Sequence, residues 1–259
     1  MELLIAIPLG FVLGFLIGLT GVGGGALVAP ALYVLLGRDY AESVALSLIY
    51  SLFTKIFGAV QHLRQGTVLW RITLLYGLTG IPGAVLGSRV IYWASGSAQR
   101  MFPFLMGGVL LVVAGLILME TGVRAIAARE KPFSPHRIGW GGTLAIGAFQ
   151  LVVGALMGLT SIGSGSLVIL SMVYLFRMSA REIVGSNIVI ALIMVVPAGL
   201  THYLARGVDW RLLAVLLLGS FGGAVLGSKS AMILPDRALK LAITALIVLG
   251  AVSTIAKAW

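Results

Sequence analysis

The chain has 259 residues, no cysteine, a formal net charge of +10 and a mean hydropathy of +1.09. Hydrophobic residues make up 59% and charged residues only 10%, where a soluble domain carries about 25% charge, so lipid has to cover much of the surface. Without cysteine there are no disulfides, zinc–cysteine sites, iron–sulfur clusters or thiol catalysis. The basic residues are spread over short loops, which sets membrane orientation and favours anionic lipid headgroups over nucleic acid.

Apolar runs follow one another at 3–19, 24–36, 43–61, 68–88, 101–119, 139–159, 164–176, 183–201, 210–228 and 238–256. Most approach the roughly 20 residues a helix needs to cross a bilayer, while 24–36 and 164–176 are shorter and suit a re-entrant or half-depth segment. The first run lacks the basic leader of a signal peptide and is read as part of the mature protein. Between the runs lie turn signals at Gly37-Arg38-Asp39, Gly66, Gly96-Ser97 and Pro235-Asp236. The one long polar stretch, Thr121 to Arg137, is too short for a second folded domain. The expected organisation is therefore a first transmembrane repeat over 1–120, a linker over 121–138 and a second repeat over 139–259, all within one membrane domain.

The repeat is written in the residues. Gly18-Leu-Thr-Gly-Val-Gly-Gly-Gly-Ala-Leu-Val returns 140 residues later as Gly158-Leu-Thr-Ser-Ile-Gly-Ser-Gly-Ser-Leu-Val. In the same register Glu42 faces Glu182, His62 faces His202, Trp70 faces Trp210, and Gly83-Ala-Val-Leu-Gly-Ser faces Gly223-Ala-Val-Leu-Gly-Ser. Paired glycine-interrupted segments at matching places in two membrane repeats point to a transporter's substrate site.

Length and charge choose the symmetry. Residues 3–36 as one helix would run about 50 Å against a hydrocarbon core of about 30 Å, so each half opens with a broken or re-entrant helix pair followed by three spans. That odd parity inverts the halves. With the linker in the cytoplasm, inversion places Arg64, Arg71, Arg177, Arg181, Lys229, Arg237 and Lys240 inside with the linker's own basic residues. Outside it leaves the smaller set Arg38, Arg89, Arg100, Arg206, Arg211 and Lys257. A parallel arrangement would split the charges almost evenly, against the positive-inside rule. The expected fold class is thus an all-α integral membrane protein of two inverted-topology repeats.

The candidate site residues gather at the breaks. Thr20, Gly21, Gly23, Gly24 and Gly25 interrupt one helix, and Thr160, Ser161, Gly163, Ser164, Gly165 and Ser166 interrupt the other. Each glycine costs a helix about 1 kcal/mol relative to alanine. The freed N–H groups, at the positive end of the next short helix, form an anion site without a charged side chain. Tight helix packing is the other use for such glycines.

Lys55 is a cation deep within a span, on a polar stripe with Ser47, Ser51, Gly58 and His62. Two roles are open to it: neutralising a transported anion or snorkelling towards the interface. Ser186-Asn187 opens the equivalent helix of the second half, and Asn187 either orients an oxyanion or bonds between helices. His62 and His202 share a structural or gating place, and their titration near neutral pH leaves proton coupling open. Trp70 and Trp210 fit the aromatic belt, and Glu42 and Glu182 the first turns of helices. The sequence carries no P-loop and no intramembrane carboxylate pair, so no ATP use, metal or other cofactor is expected, and an enzyme, metal-cation or amino-acid carrier lacks its chemistry.

Taken together, these residues resemble the sulfite exporter TauE/SafE family, also called the toluene-sulfonate uptake permease family. The resemblance lies in Gly18-Leu-Thr-Gly-Val-Gly-Gly-Gly-x4-Pro30, in Gly158-Leu-Thr-Ser-Ile-Gly-Ser-Gly, in the His62-x3-Gly66-x3-Trp70 and His202-x4-Gly207-x2-Trp210 hairpins, and in the two Gly-Ala-Val-Leu-Gly-Ser ends. It covers essentially the whole chain. It implies a bacterial or archaeal inner-membrane transporter of small anionic sulfur compounds such as sulfite or sulfonates, and leaves cargo and direction open. Its partners would be that anion and membrane lipid, with homo-oligomerisation open. The second copy departs from the pattern at Ser164, where the first has glycine, and at Leu170, where the first has Pro30. The rival class is a non-transporting membrane assembly subunit whose breaks serve packing alone; a carrier of a different small anion is the other alternative.

Overall fold

The computed structural model describes residues 2–20, 24–127, 139–163, 165–176, 178–231 and 236–259. Among them stand ten α-helices and no strand: α1 (Glu2–Thr20), α2 (Gly25–Leu35), α3 (Tyr40–Arg64), α4 (Trp70–Trp93), α5 (Ser97–Ala127), α6 (Trp140–Thr160), α7 (Ser166–Leu175), α8 (Ala180–Arg206), α9 (Trp210–Ala231) and α10 (Asp236–Ala258). Seven helices are long and apolar enough to cross a membrane, while α2, α7 and the Ile5–Leu19 stretch of α1 are shorter apolar helices. Each apolar run of the sequence becomes one helix. At the far end of the first half, α5 continues to Ala127, into the polar stretch that the sequence begins at Thr121.

Local chemistry sets the helix ends. Gly37, Gly66, Gly96 and Gly207 take positive φ in the turns, a conformation glycine reaches without a Cβ penalty. Ser179 and Glu182 form a reciprocal capping box that starts α8, with Ser179 N donating to Glu182 Oε2 at 2.7 Å. Glu42 lies in the first turn of α3, where it takes a 2.7 Å ion pair from Arg38. Pro8, Pro30, Pro82, Pro103 and Pro197 lie inside helices, a placement that neighbouring helices make tolerable in membranes.

Glycine stripes zip the halves together. Gly10, Gly14 and Gly18 of α1 press on the backbone of Leu216, Ser220 and Ala224, and Gly219, Gly223 and Gly227 return the contact against α1. The same device joins α4 to α6: Gly83 and Gly87 meet Leu151 and Ala155, while Gly154 and Gly158 meet Gly80, Ala84 and Ser88. A Cβ at any of these positions would overlap a neighbouring main chain, so the helices approach as closely as small residues allow. The contact positions advance together, so α1 runs parallel to α9 and α4 parallel to α6. At the centre α3 crosses α8 in the opposite sense, with Gly58 against Ile188 and Gly199 against Ile49.

The two halves do not pack alike. Helix α8 lies along α4, with Gly77 against Ile193 and Gly80 against Met194, whereas the corresponding pair α3 and α9 meets at few points. Thr54, Lys55, Gly58 and His62 of α3 are half-buried, but their counterparts Met194, Val195, Ala198 and His202 of α8 are buried.

Candidate functional site

The breaks lie against each other. The start of α2 abuts the end of α6 so closely that a Cβ on Gly25 would overlap the Ser161 carbonyl oxygen, and the ring of Tyr50 covers Gly24. Ser161 takes the left-handed conformation, φ 63°, and Gly163 has φ 114°. Their backbone ends α6 and turns the chain into α7, whose N-terminal residue is Ser166. Helices leave their first N–H groups short of intrahelical acceptors; at the start of α2 Leu27 N turns back to Gly24 O at 3.2 Å, and each short helix has the positive end of its dipole at its own break. The arrangement is chemically able to hold a small oxyanion on backbone donors.

Side chains brace the turn. Ser161 Oγ donates to Ser47 Oγ at 3.0 Å, which fixes the second break to the buried half of α3. Thr160 Oγ1 donates to Leu156 O at 2.7 Å and accepts from Ile162 N at 3.2 Å, so its hydroxyl holds the break's own backbone. Two turns before Ser47 on α3, Tyr40 donates to Leu159 O at 2.7 Å. On the other side of Gly24, the Tyr50 hydroxyl pairs with Ser220 Oγ. A Cβ on Gly165 would meet nothing within 4 Å, so that break position borders open space.

Of the residues singled out in the sequence, Gly24, Gly25, Ser47, Thr160 and Ser161 meet at this junction; Gly163 lies against Leu167 and Val153, and Gly165 and Ser166 open α7. Thr20 ends α1, while Gly21, Gly23 and Ser164 lie outside the described residues. Lys55 stands two turns beyond Ser47, and its Nζ donates to Ser51 Oγ. Asn187 is not brought to Ser47. Because α3 and α8 are antiparallel, Asn187 lies level with the far end of α3, on the order of 18 Å from Ser47 along the helix axis. Its Oδ1 is buried without a hydrogen-bond partner, and the neighbouring Ser186 accepts from Leu69 N at 3.0 Å.

The two histidines occupy different surroundings. His62 Nδ1 lies 2.9 Å from Thr67 Oγ1 at the foot of its own hairpin. His202 is buried, with Nε2 3.0 Å from Gly158 O and Nδ1 2.8 Å from the Tyr92 hydroxyl. A carbonyl only accepts, so Nε2 carries a proton, and both ring nitrogens are engaged in clamping α8 to α6 and α4. At the surface Arg38 reaches Asp209 at 3.4 Å and Arg206 pairs with Asp39, tying the loop before α3 to the loop before α9.

Sequence reading missed a second set of polar groups. Thr73 Oγ1 and both amide atoms of Gln150 are buried without partners, and the Tyr76 hydroxyl lies 3.3 Å from Ser171 Oγ. The signal was available, since Gln150 sits in the middle of an apolar run and faces Gly10 in the repeat register. Among the described residues no group of three or more His, Cys, Asp and Glu could hold a metal.

The family described as sulfite exporter TauE/SafE matches residues 6–254. The chain is 34% identical to the probable membrane transporter protein YjnA of Bacillus subtilis (strain 168) over 253 residues, covering 96% of this chain and 98% of that protein. It is 28% identical to YdhB of the same organism, with 90% and 92% covered. A probable membrane transporter protein of Xylella fastidiosa (strain 9a5c) is 25% identical, with 88% and 84% covered. No solved structure matches.

Proposed function

The chain belongs to the sulfite exporter TauE/SafE family, a family of multi-pass membrane transporters, and on that premise we propose that it is a secondary transporter of small sulfur-containing anions such as sulfite or sulfonates. The observation that carries this reading is the meeting of the two breaks, Gly25 against Ser161. It sets the N-terminus of α2 against the end of α6, from which the chain turns into α7, and in the proposed site an anion is held there without a permanent counter-charge and released again. In this proposal Thr20, Gly21, Gly23, Gly24 and Gly25 supply one wall of the site, and Thr160, Ser161, Gly163, Ser164, Gly165 and Ser166 supply the other. Ser47 braces them, and Lys55 meets the anion on its way along α3.

The proposed mechanism is alternating access between inverted halves. The antiparallel crossing of α3 and α8, with the parallel pairs α1–α9 and α4–α6, supports the inversion. The tight α4–α8 contact beside the sparse α3–α9 contact supports a state open on one side only. In the proposed orientation the linker is cytoplasmic and the membrane is a bacterial or archaeal cell membrane. A negative-inside potential is worth about 2.3 kcal/mol per charge per 100 mV, enough to drive an anion outward without ATP or an obligatory proton.

The test is uptake of radiolabelled sulfite into proteoliposomes under an imposed potential, with unlabelled sulfonates as competitors and Lys55→Ala alongside. Saturable, potential-dependent flux with competition is the expected result. A protein that folds and carries no sulfur oxyanion in either direction would instead fit an assembly subunit or a carrier of another anion.

A further inference from the structure

Thr73 and Tyr76 of α4 and Gln150 of α6 are all fully buried. Gly154 packs on the backbone of Gly80; one turn before each, Gln150 therefore stands beside Tyr76. Thr73 is one turn further back on the same face of α4, and Ser171 of α7 closes the group through its 3.3 Å contact with Tyr76. Three polar atoms in this group, Thr73 Oγ1 and the two amide atoms of Gln150, lack any hydrogen-bond partner.

The repeat makes this group unusual. In the same register of the other half its counterparts are Leu213, Leu216, Gly10 and Ala31, an apolar set. There Gly10 simply lies on the backbone of Leu216. The packing between α1 and α9 thus needs no polar group at these positions, and the α4–α6 packing, built on the same glycine stripe, gains nothing from them either. Buried polar groups in a membrane core are costly unless paired, and are kept where they serve a ligand.

We propose that Thr73, Tyr76, Gln150 and Ser171 form a second, uncharged stop for the transported oxyanion. It lies along α7 from the second break, five residues past Ser166 and so about 8 Å away at 1.5 Å per residue. The Gln150 amide and the Thr73 hydroxyl donate to the anion's oxygens. The free Gln150 Oε1 accepts a proton-bearing group, so the stop prefers a monoprotonated oxyanion to a fully ionised one. Neutral donors hold such an anion weakly enough for it to leave again, as a conducting path requires. The inference rests on the reading of the chain as a sulfur-anion transporter.

The experiment measures initial rates of radiolabelled sulfite uptake against concentration in proteoliposomes for the full chain, Gln150→Leu and Thr73→Val, with thermal melts of each in detergent. Both replacements trade an unpaired polar group for an apolar one of similar shape, so melting temperatures stay level or rise. KM for sulfite rises about tenfold or more, the scale of one lost hydrogen bond to a charged group. Wild-type KM in both variants overturns the stop and leaves the transporter reading standing. A lower melting temperature in both variants also overturns it, since the group would then be a packing device. Absence of saturable sulfite or sulfonate flux in the wild type overturns the transporter reading itself, and the stop with it.

Discussion

Ser161 concentrates the local conflict of the second break in one residue. Its left-handed backbone, φ 63°, costs a non-glycine residue about 1–2 kcal/mol, and its hydroxyl recovers about 1 kcal/mol through the bond to Ser47. The two effects nearly cancel and can be separated. Ser161→Gly relieves the backbone and loses the bond, so its melting temperature stays close to that of the wild type. Ser161→Ala keeps the strain and loses the bond, so it is destabilised by about 1 kcal/mol, read as an earlier melt in detergent. Equal destabilisation of both variants would mean that the hydroxyl, not the backbone, dominates. At this scale the glycines, serines and threonine of the second break could be named from the repeat alone, because a run of them interrupts an apolar segment at the matching place in each half. What the sequence did not disclose is that the Thr160 hydroxyl is already spent on Leu156 and Ile162.

Helices were legible as elements because each apolar run had to form one. Their contacts follow a rule that the sequence carries in the glycine spacing, every four residues along α1, α4, α6 and α9. The rule separates two kinds of glycine. Gly87 faces the Ala155 backbone and leaves no room for a Cβ, while Gly108 of α5 has nothing within 4 Å. Gly87→Ala therefore forces α4 and α6 apart, at about 1–3 kcal/mol. Gly108→Ala stabilises its helix by up to about 1 kcal/mol. Opposite shifts in melting temperature are the expected outcome, and a common sign would refute close packing as the reason for the stripe. Asn187 shows where element-level reading stopped. Its repeat register pairs it with Ser47, but equivalent places in two antiparallel helices end up at different depths.

Across the whole molecule, the proposed inversion has a direct consequence for labelling. Gln65 and Ala205 are exposed, repeat-related positions at the ends of α3 and α8. The chain has no cysteine, so single cysteines placed there have no background. Gln65→Cys and Ala205→Cys should react with a membrane-impermeant maleimide from opposite sides of the bilayer, Gln65 from the side of the linker. Reaction from one side alone would make the repeats parallel and remove the basis for alternating access.

The sequence by itself determined the membrane class, the ten helical segments, the duplication and the two glycine breaks. Each of these depends on composition, run length or backbone freedom, which are local. Only the tertiary structure decided that Gly25 lies on Ser161, that α8 packs on α4 while α3 barely meets α9, and that Thr73 and Gln150 are buried without hydrogen-bond partners. Periodicity records which face of a helix a residue occupies, but not which helix that face will meet. In lipid, where every helix is apolar on its outside, the choice of neighbour is made by close packing and polar pairing between distant parts of the chain.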